Sequence, residues 1–263
     1  MNLSEVSNYL LDLLPRAGQI LRRYFHAETL TKKMKGKLDF VTAADLAVDK
    51  FIHDKLSHDY PKIPIFSEET APKDFSGFKG SDYLWVVDPL DGTANFSRGD
   101  ANFSISIALV RNSKSLVGAI FLPVSSRMFW AQKDREGAYW NGRRIYISQT
   151  SKLRDAVVCT DWSHILGTRE LTTQFLSKIY YQVCQFKILG SAATDMTLLA
   201  RGGVDIYHHV HLMPWDIAAA ALIVEKAGGK ITDSYGNSWD VFTPGILAAN
   251  PQLHQKLLKV INH

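Results

Sequence analysis

The stretch Trp85-Val86-Val87-Asp88-Pro89-Leu90-Asp91-Gly92-Thr93-Ala94-Asn95-Phe96 constrains this chain more than any other. The apolar run from Tyr83 to Val87 reads as a buried strand. Pro89 has no N–H to give a sheet ladder, so the strand is expected to stop at Asp88-Pro89. Two carboxylates, Asp88 and Asp91, can then converge from a tight turn at the strand end, where open α/β sheets gather their chemistry. Gly92 lets a backbone N–H come close to an anion, and Thr93 adds a hydroxyl and another N–H. Carboxylates for a hard cation beside donors for a phosphate point to metal-assisted phosphoryl chemistry. A plain Asp-Pro and Asp-Gly turn uses the same residues, so the rest of the chain has to decide.

At 263 residues the chain can bury a sizeable core, as one large domain or two closely packed halves. With 46% hydrophobic and 21% charged residues it has the composition of an ordinary soluble globular protein. A formal charge of +4 mildly favours anionic substrates and does not by itself imply nucleic-acid binding. Cys159 and Cys184 have no metal-type spacing and could not staple a fold of this size, which argues for a reducing compartment. The N-terminus lacks the apolar core and cleavage site of a signal peptide. The longest apolar run, Ile217 to Val224, is far too short to span a bilayer. A cytoplasmic location is expected.

Residues 2 to about 26 carry apolar positions at helical spacing, with Pro15 expected to kink or split the helix. A basic, glycine-containing loop follows from Thr31 to Lys37. Thr42-x-x-Asp45 has the form of a capping box opening a helix to about Tyr60, whose inward face would carry Leu46, Val48, Phe51, Ile52 and Leu56. Pro64 to Glu69 reads as a short strand ending in two acids, Glu68 and Glu69, which face opposite sides. An antiparallel meander then runs through Ile105–Leu109, Leu116–Leu122 and Met128–Gln132 to the hairpin signal Asn141-Gly142.

From about Asp155 a strand, a helix near Arg169–Tyr180 and another strand lead to Gly190-Ser191-Ala192-Ala193, which opens a helix ended by Gly202-Gly203. His208, His209 and His211 invite a metal reading, with His209 expected to face away from the other two on a strand. Pro214-Trp215-Asp216 starts a long apolar helix that Gly228-Gly229 ends. A strand at Ile246–Ala249 and a helix from Pro251 close the chain.

Four of these stretches, in this order, resemble the signatures of the inositol monophosphatase family: Asp39-Phe40-Val41-Thr42-Ala43-Ala44-Asp45, Glu68-Glu69, Asp88-Pro89-Leu90-Asp91-Gly92-Thr93, and Trp215-Asp216-Ile217-Ala218-Ala219 with Glu225-Lys226-Ala227-Gly228-Gly229. The resemblance implies an α+β layered fold, the sugar-phosphatase α-β-α-β-α sandwich. It is read as a single domain, 1–263, with the half 1–150 carrying most metal ligands and the half 151–263 completing the substrate site. It implies two or three Mg²⁺ ions held by Glu68, Asp88, the Leu90 carbonyl, Asp91 and Asp216, with Glu69 supporting them from behind. Asp45 and Thr93, with Glu68, would orient and deprotonate a water. Asp91, Gly92, Thr93, Ala192, His209 and Asp216 would contact substrate. Lys35 is the nearest match to a lysine on the family's mobile loop, with Lys37 as the alternative because the loop is one residue shorter than usual.

His209 departs from the pattern, since inositol-specific members usually carry glutamate there. The implied activity is Mg²⁺-dependent hydrolysis of inositol-1-phosphate or a similar small polyol phosphate, with lithium sensitivity and a homodimer. Histidinol phosphate, fructose-1,6-bisphosphate or a 3′-phosphonucleotide are alternative substrates. A regulatory protein associated with RNA or RNA polymerase is the alternative of another class, because some bacterial members bind the transcription antitermination machinery.

Overall fold

A computed structural model describes residues 1–25, 32–34, 40–163 and 165–261. Its helices are α1 (Leu3–Phe25), α2 (Ala43–Asp59), α3 (Thr93–Phe96), α4 (Arg169–Ile179), α5 (Ala192–Ala200), α6 (Pro214–Lys226) and α7 (Pro251–Ile261). Its strands are β1 (Lys32–Met34), β2 (Phe40–Thr42), β3 (Ile65–Ser67), β4 (Leu84–Asp91), β5 (Ser104–Arg111), β6 (Lys114–Leu122) and β7 (Arg127–Gln132), then β8 (Ala138–Trp140), β9 (Arg143–Ile145), β10 (Val157–Thr160), β11 (Gln185–Lys187), β12 (Ile206–His209), β13 (Lys230–Thr232) and β14 (Ile246–Ala249).

Among the described residues β3 to β9 form one sheet in sequence order, antiparallel except for β3 on β4. Side chains alternate across each strand, so its two faces make two cores. Trp85, Val87, Ile107 and Ala119 pack under α1 and α2. Val86, Ala108, Ile120 and Phe129 pack against α5 and α6. The second sheet, in order β11-β10-β12-β14-β13, covers the other side of α5 and α6 with Cys159, Tyr207 and Ala248. Its outer face, Val158, Ile206 and Leu247, packs against α4 and α7. The result is the expected α-β-α-β-α sandwich.

α6 is apolar nearly all round because it lies between two sheets. Gly118 on β6 lets it approach closely: a Cβ there would lie 2.7 Å from the Ala219 carbonyl oxygen. Asn141 and Gly142, at φ 45° and 79°, make the two-residue turn between β8 and β9.

Local propensity loses to packing in three places. Pro15 lies inside an uninterrupted α1. A proline in a helix interior costs about 3 kcal/mol, whereas fully burying each of Leu10, Leu13, Leu14 and Leu21 is worth roughly 1.5–3 kcal/mol. Leu46 on α2 is 51% exposed rather than inward-facing, because Val48, Ile52 and Leu56 already fill the buried stripe. β4 does not stop at Pro89 but runs on to Asp91. Its register on β5 jumps from Asp88↔Ser106 to Asp91↔Ser104, and this bulge removes the demand for an N–H at Pro89. β13 was not legible as a strand in advance, being short and flanked by the Gly228-Gly229 stop.

Candidate active site

The bulge in β4 sets the site. On a regular strand, residues three apart face opposite sides. The extra residue between Asp88 and Asp91 resets the alternation, and both carboxylates line one cleft of about 250 Å³. Gly92 then turns the chain at φ 92°, and a Cβ there would lie 3.0 Å from both the Asn102 carbonyl oxygen and the Ser191 Cβ. Glycine is therefore required both by the backbone and by space. α3 starts at once, so Thr93 sits in its first turn, where N–H groups have no partner within the helix.

Glu68 enters the cleft just past the end of β3. Asp216 enters from the first turn of α6 and accepts the Met213 N–H at 2.7 Å. The Gly190–Ala192 turn before α5 and the segments after β10 and β12 complete the walls. The cleft thus lies at the C-terminal ends of the parallel pair β10 and β12, as open α/β sheets arrange it.

The structure brings Glu68, Asp88, Leu90, Asp91, Gly92, Thr93, Ala192, His209 and Asp216 into this one cleft. Asp45 stands behind Thr93, whose hydroxyl lies 3.0 Å from Asp45 Oδ1 and 3.1 Å from the Leu90 carbonyl oxygen. The other Asp45 oxygen accepts from the Thr42 N–H and hydroxyl, so the capping box is present and Oδ1 is left to Thr93. Glu69 is half-buried and does not line the cleft. Lys35 and Lys37 lie outside the described residues.

Sequence reasoning gave no place in the cleft to four residues that line it, Asp161, Trp162, Ser191 and His211. Asp161 and Trp162 follow β10 directly, and an acid at the C-terminal end of a parallel strand is a readable signal. Ser191 hydrogen-bonds Asp91 Oδ2 through its hydroxyl, from a hundred residues away, and no local pattern announces it. His211 shares the cleft with His209, which corrects the expectation that His209 faces away from both of the other histidines, since residues two apart on a strand lie on one face. β12 ends at His209, and the chain turns so that the His211 N–H reaches His209 Nδ1 at 3.1 Å. That bond makes Nδ1 the acceptor and Nε2 the protonated nitrogen of a neutral ring.

Five carboxylates, Glu68, Asp88, Asp91, Asp161 and Asp216, line the cleft with no Lys or Arg among its described lining residues. Burial pushes the Asp88 carboxyl well above the ordinary range, and Glu68, Asp91 and Asp216 push it further. Burial raises Asp91 to about 6 despite hydrogen bonds from Ser191 and the Ala193 and Thr194 N–H groups. Among the described residues these bonds all fall on Oδ2. Asp45 is raised by burial as well, against the hydrogen bonds from Thr42 and Thr93.

Among the described residues no three Asp, Glu, His or Cys side chains are gathered so that they could hold an ion as they stand. The acids ring the cleft as mutually repelling charges. Their donor set is hard oxygen, the kind Mg²⁺ takes, and a phosphate could enter such a field only with cations. The donor chemistry therefore fits a divalent metal.

A sequence model of the inositol monophosphatase family matches residues 2–263. The chain belongs to the inositol monophosphatase family. It is thus a phosphoric monoester hydrolase, and its family is one of metal-dependent enzymes acting on small phosphorylated substrates.

Among its relatives, the fructose-1,6-bisphosphatase/inositol-1-monophosphatase of Thermotoga maritima is 32% identical over 255 residues, 97% of this chain and 95% of that one. The Nus factor SuhB of Pasteurella multocida is 32% identical over 257 residues, 97% and 94% of the two chains. The crystal structure of the extragenic suppressor protein suhB of Bartonella henselae superposes with a TM-score of 0.89 at 32% identity, covering 98% of each chain. The described residues include no helix long and apolar enough to cross a membrane.

Proposed function

We propose that this inositol monophosphatase family member hydrolyses inositol-1-phosphate or a similar small polyol phosphate, using two or three Mg²⁺ ions and a water. The observation that carries the reading is the cluster of buried and half-buried carboxylates beside the Asp45–Thr93 hydrogen bond in one cleft. Glu68, Asp88, the Leu90 carbonyl, Asp91 and Asp216 would hold the ions, Asp91 through the oxygen that Ser191 leaves unused. When bound, Mg²⁺ supplies positive charge that offsets the phosphate and the leaving alkoxide and lowers the pKa of water.

The chain's own groups do the rest. Thr93 Oγ1 takes a proton from the attacking water as it gives its own to Asp45 Oδ1, and burial makes Asp45 the stronger base for it. The Gly92 and Thr93 N–H groups hold phosphate oxygens. Attack is in line, the phosphorus–oxygen ester bond breaks on the far side, and no residue is phosphorylated. Glu69 supports Glu68 from behind, Ala192 contacts a substrate hydroxyl through its backbone, and Lys35, or Lys37, matches the lysine of the family's mobile loop. The residues of 1–150 would hold most of the metal and those of 151–263 most of the substrate. Lithium inhibition, a homodimer and a cytoplasmic location belong to the same proposal, supported by family membership.

Thr93→Ala is expected to lower kcat by about 10²–10⁴-fold, the range of general acid–base groups, with Mg²⁺ affinity nearly unchanged. A kcat within a few-fold of wild type would remove Thr93 from the proton path. His209 offers Nε2–H where a glutamate would offer an acceptor. His209→Glu is therefore expected to raise kcat/KM on inositol-1-phosphate; an unchanged or lower value counts against His209 as a specificity residue.

The test of the function is phosphate release from inositol-1-phosphate, histidinol phosphate, fructose-1,6-bisphosphate, sugar phosphates and a 3′-phosphonucleotide, each with Mg²⁺, with chelator and with Li⁺. Metal-dependent release on inositol-1-phosphate or another polyol phosphate, suppressed by Li⁺, is the expected result. The Nus factor SuhB relatives support a second reading, association with RNA or RNA polymerase. A folded, Mg²⁺-binding protein silent across the panel would favour that reading.

A further inference from the structure

β8 and β9 form the edge of the first sheet opposite to β3. Phe129 pairs with Trp140 across β7 and β8, and Trp140 pairs with Arg143 across the turn into β9. Directly opposed residues share a face, and so do residues two apart on a strand. Arg127, Phe129, Trp140 and Arg143 therefore all lie on the face that packs toward α5. Arg201, the residue after α5, reaches the same place. Its Cζ lies 5.6 Å from the centroid of the Trp140 ring, and so does that of Arg127. The ring itself stacks on Phe129 with planes at 10°. Gly203 leaves room for this, since a Cβ there would lie 3.2 Å from the Arg201 Cζ.

Arg127, Arg143 and Arg201 have no side-chain hydrogen bond or ion pair among the described residues. Arginines elsewhere are given partners, Arg111 by Asp82 and Arg144 by Glu136, each at 2.9 Å. The Nε of Arg201 is buried, but its terminal nitrogens and those of Arg127 face solvent. Two readings without a ligand fall short. An arginine at a helix end can bond the last carbonyl groups, yet those of Thr197, Leu198 and Leu199 already accept from the N–H groups of Arg201, Gly202 and Gly203. One cation over an aromatic ring is favourable, but a second adds repulsion between like charges. Burial lowers the Arg201 pKa, and the charge of Arg127 lowers it further. Arginine does not give up its proton, so only an anion relieves that repulsion.

We propose that Arg127 and Arg201, with Arg143 beside them, form a second anion site that takes a phosphate group without any metal. The guanidinium fork matches phosphate oxygens in pairs, and the Trp140 ring holds two such forks in place before a ligand arrives. The site is separate from the active-site cleft. α5 starts in the cleft wall at Ala192 and ends at Ala200, about 12 Å away at the helical rise. The two sites also differ in charge. The cleft is ringed by acids and admits a phosphate only with cations, whereas this corner is cationic as it stands. Inorganic phosphate and the backbone of a nucleic acid both carry the group that the forks recognise. The inference goes beyond the phosphatase reading and does not rest on it.

Inorganic phosphate and, separately, a single-stranded oligouridylate would be titrated into the full chain in chelator, so that the acidic cleft holds no cation for either. The arginine Nε–H signals, assigned with the variants, would be followed by NMR. The expected result is saturable movement of the Arg127 and Arg201 signals, weakened by added sodium chloride. Kd should rise about tenfold in Arg127→Gln and in Arg201→Gln, and about threefold in the more exposed Arg143→Gln, as charge-assisted hydrogen bonds to the anion are lost. Arg127→Lys keeps the charge without the fork and should fall between wild type and Arg127→Gln. Arg111→Gln, whose partner is Asp82, should bind as wild type does. Tighter binding of the oligouridylate would name a nucleic-acid backbone as the source of the phosphate group; otherwise the source is the free ion. Arg143→Gln carries the test if the other variants fail to fold. No saturable response to either probe, or wild-type affinity in the folded arginine-to-glutamine variants, overturns the site.

Discussion

Asp91→Asn is expected to reduce kcat by roughly 10³-fold or more while leaving the protein folded. A thousandfold loss corresponds to about 4 kcal/mol of transition-state stabilisation, within what ion binding at a phosphoryl centre supplies. The fold should tolerate the change for two reasons. The asparagine oxygen can still accept from the Ser191 hydroxyl and the Ala193 N–H, which now meet Oδ2. The substitution also removes one negative charge from a buried cluster in which Glu68, Asp91 and Asp216 all raise Asp88. In chelator the variant should melt at or above the wild-type temperature, because nothing there offsets that repulsion. Near-wild-type turnover would sink the ligand assignment. A parallel loss of activity and melting temperature would make Asp91 a structural residue instead.

The second large effect is a pH-dependent stabilisation by Mg²⁺. An acid whose pKa is higher in the folded than in the unfolded chain binds more protons when folded, so it costs stability as pH rises between the two values. For Asp91 that window runs from 3.8 to about 6, a span of about 3 kcal/mol, and Asp88 is displaced in the same direction. The metal-free melting curve alone would not isolate this. His208 and His254 are buried neutral, lowered to about 3 and about 4. They bind more protons unfolded, and so add stability as pH rises through nearly the same range. Their contribution is common to the metal-free and metal-loaded protein and cancels in the difference.

Mg²⁺ needs the carboxylates ionised. The rise in melting temperature on adding it should be close to zero near pH 4.5 and reach its full value above pH 7. At a hundred times Kd it corresponds to about 2.7 kcal/mol. A Mg²⁺-induced shift of the same size across the pH range would show that these acids are not the ions' ligands.

Much of the architecture was readable in advance because the signals were local. The stripe Leu10, Leu13, Leu14, Ala17 and Leu21 needs only helical periodicity. The Asn141-Gly142 hairpin needs only the positive φ that those two residues accept. The Thr42–Asp45 box needs only four consecutive residues. The readings that failed were those where a local rule met a tertiary demand. Pro15 was outweighed by the leucines around it, and Pro89 was absorbed by a bulge that only pairing with β5 can create. The histidine reading failed for a simpler reason, because residues two apart share a face and alternation itself sets His209 and His211 on one side and His208 on the other.

The sequence by itself determined the family, the layered fold and the chemical character of the cleft, because these rest on residue type and order. Asp-Pro-Leu-Asp-Gly-Thr announces hard oxygen ligands beside phosphate donors whatever surrounds it. The tertiary structure alone decided that Asp88 and Asp91 face the same way and that Ser191 holds one oxygen of Asp91 from a hundred residues off. Each of these depends on register and on contacts between distant segments. Such contacts exist only once burial of the two sheets around α5 and α6 has brought those segments together.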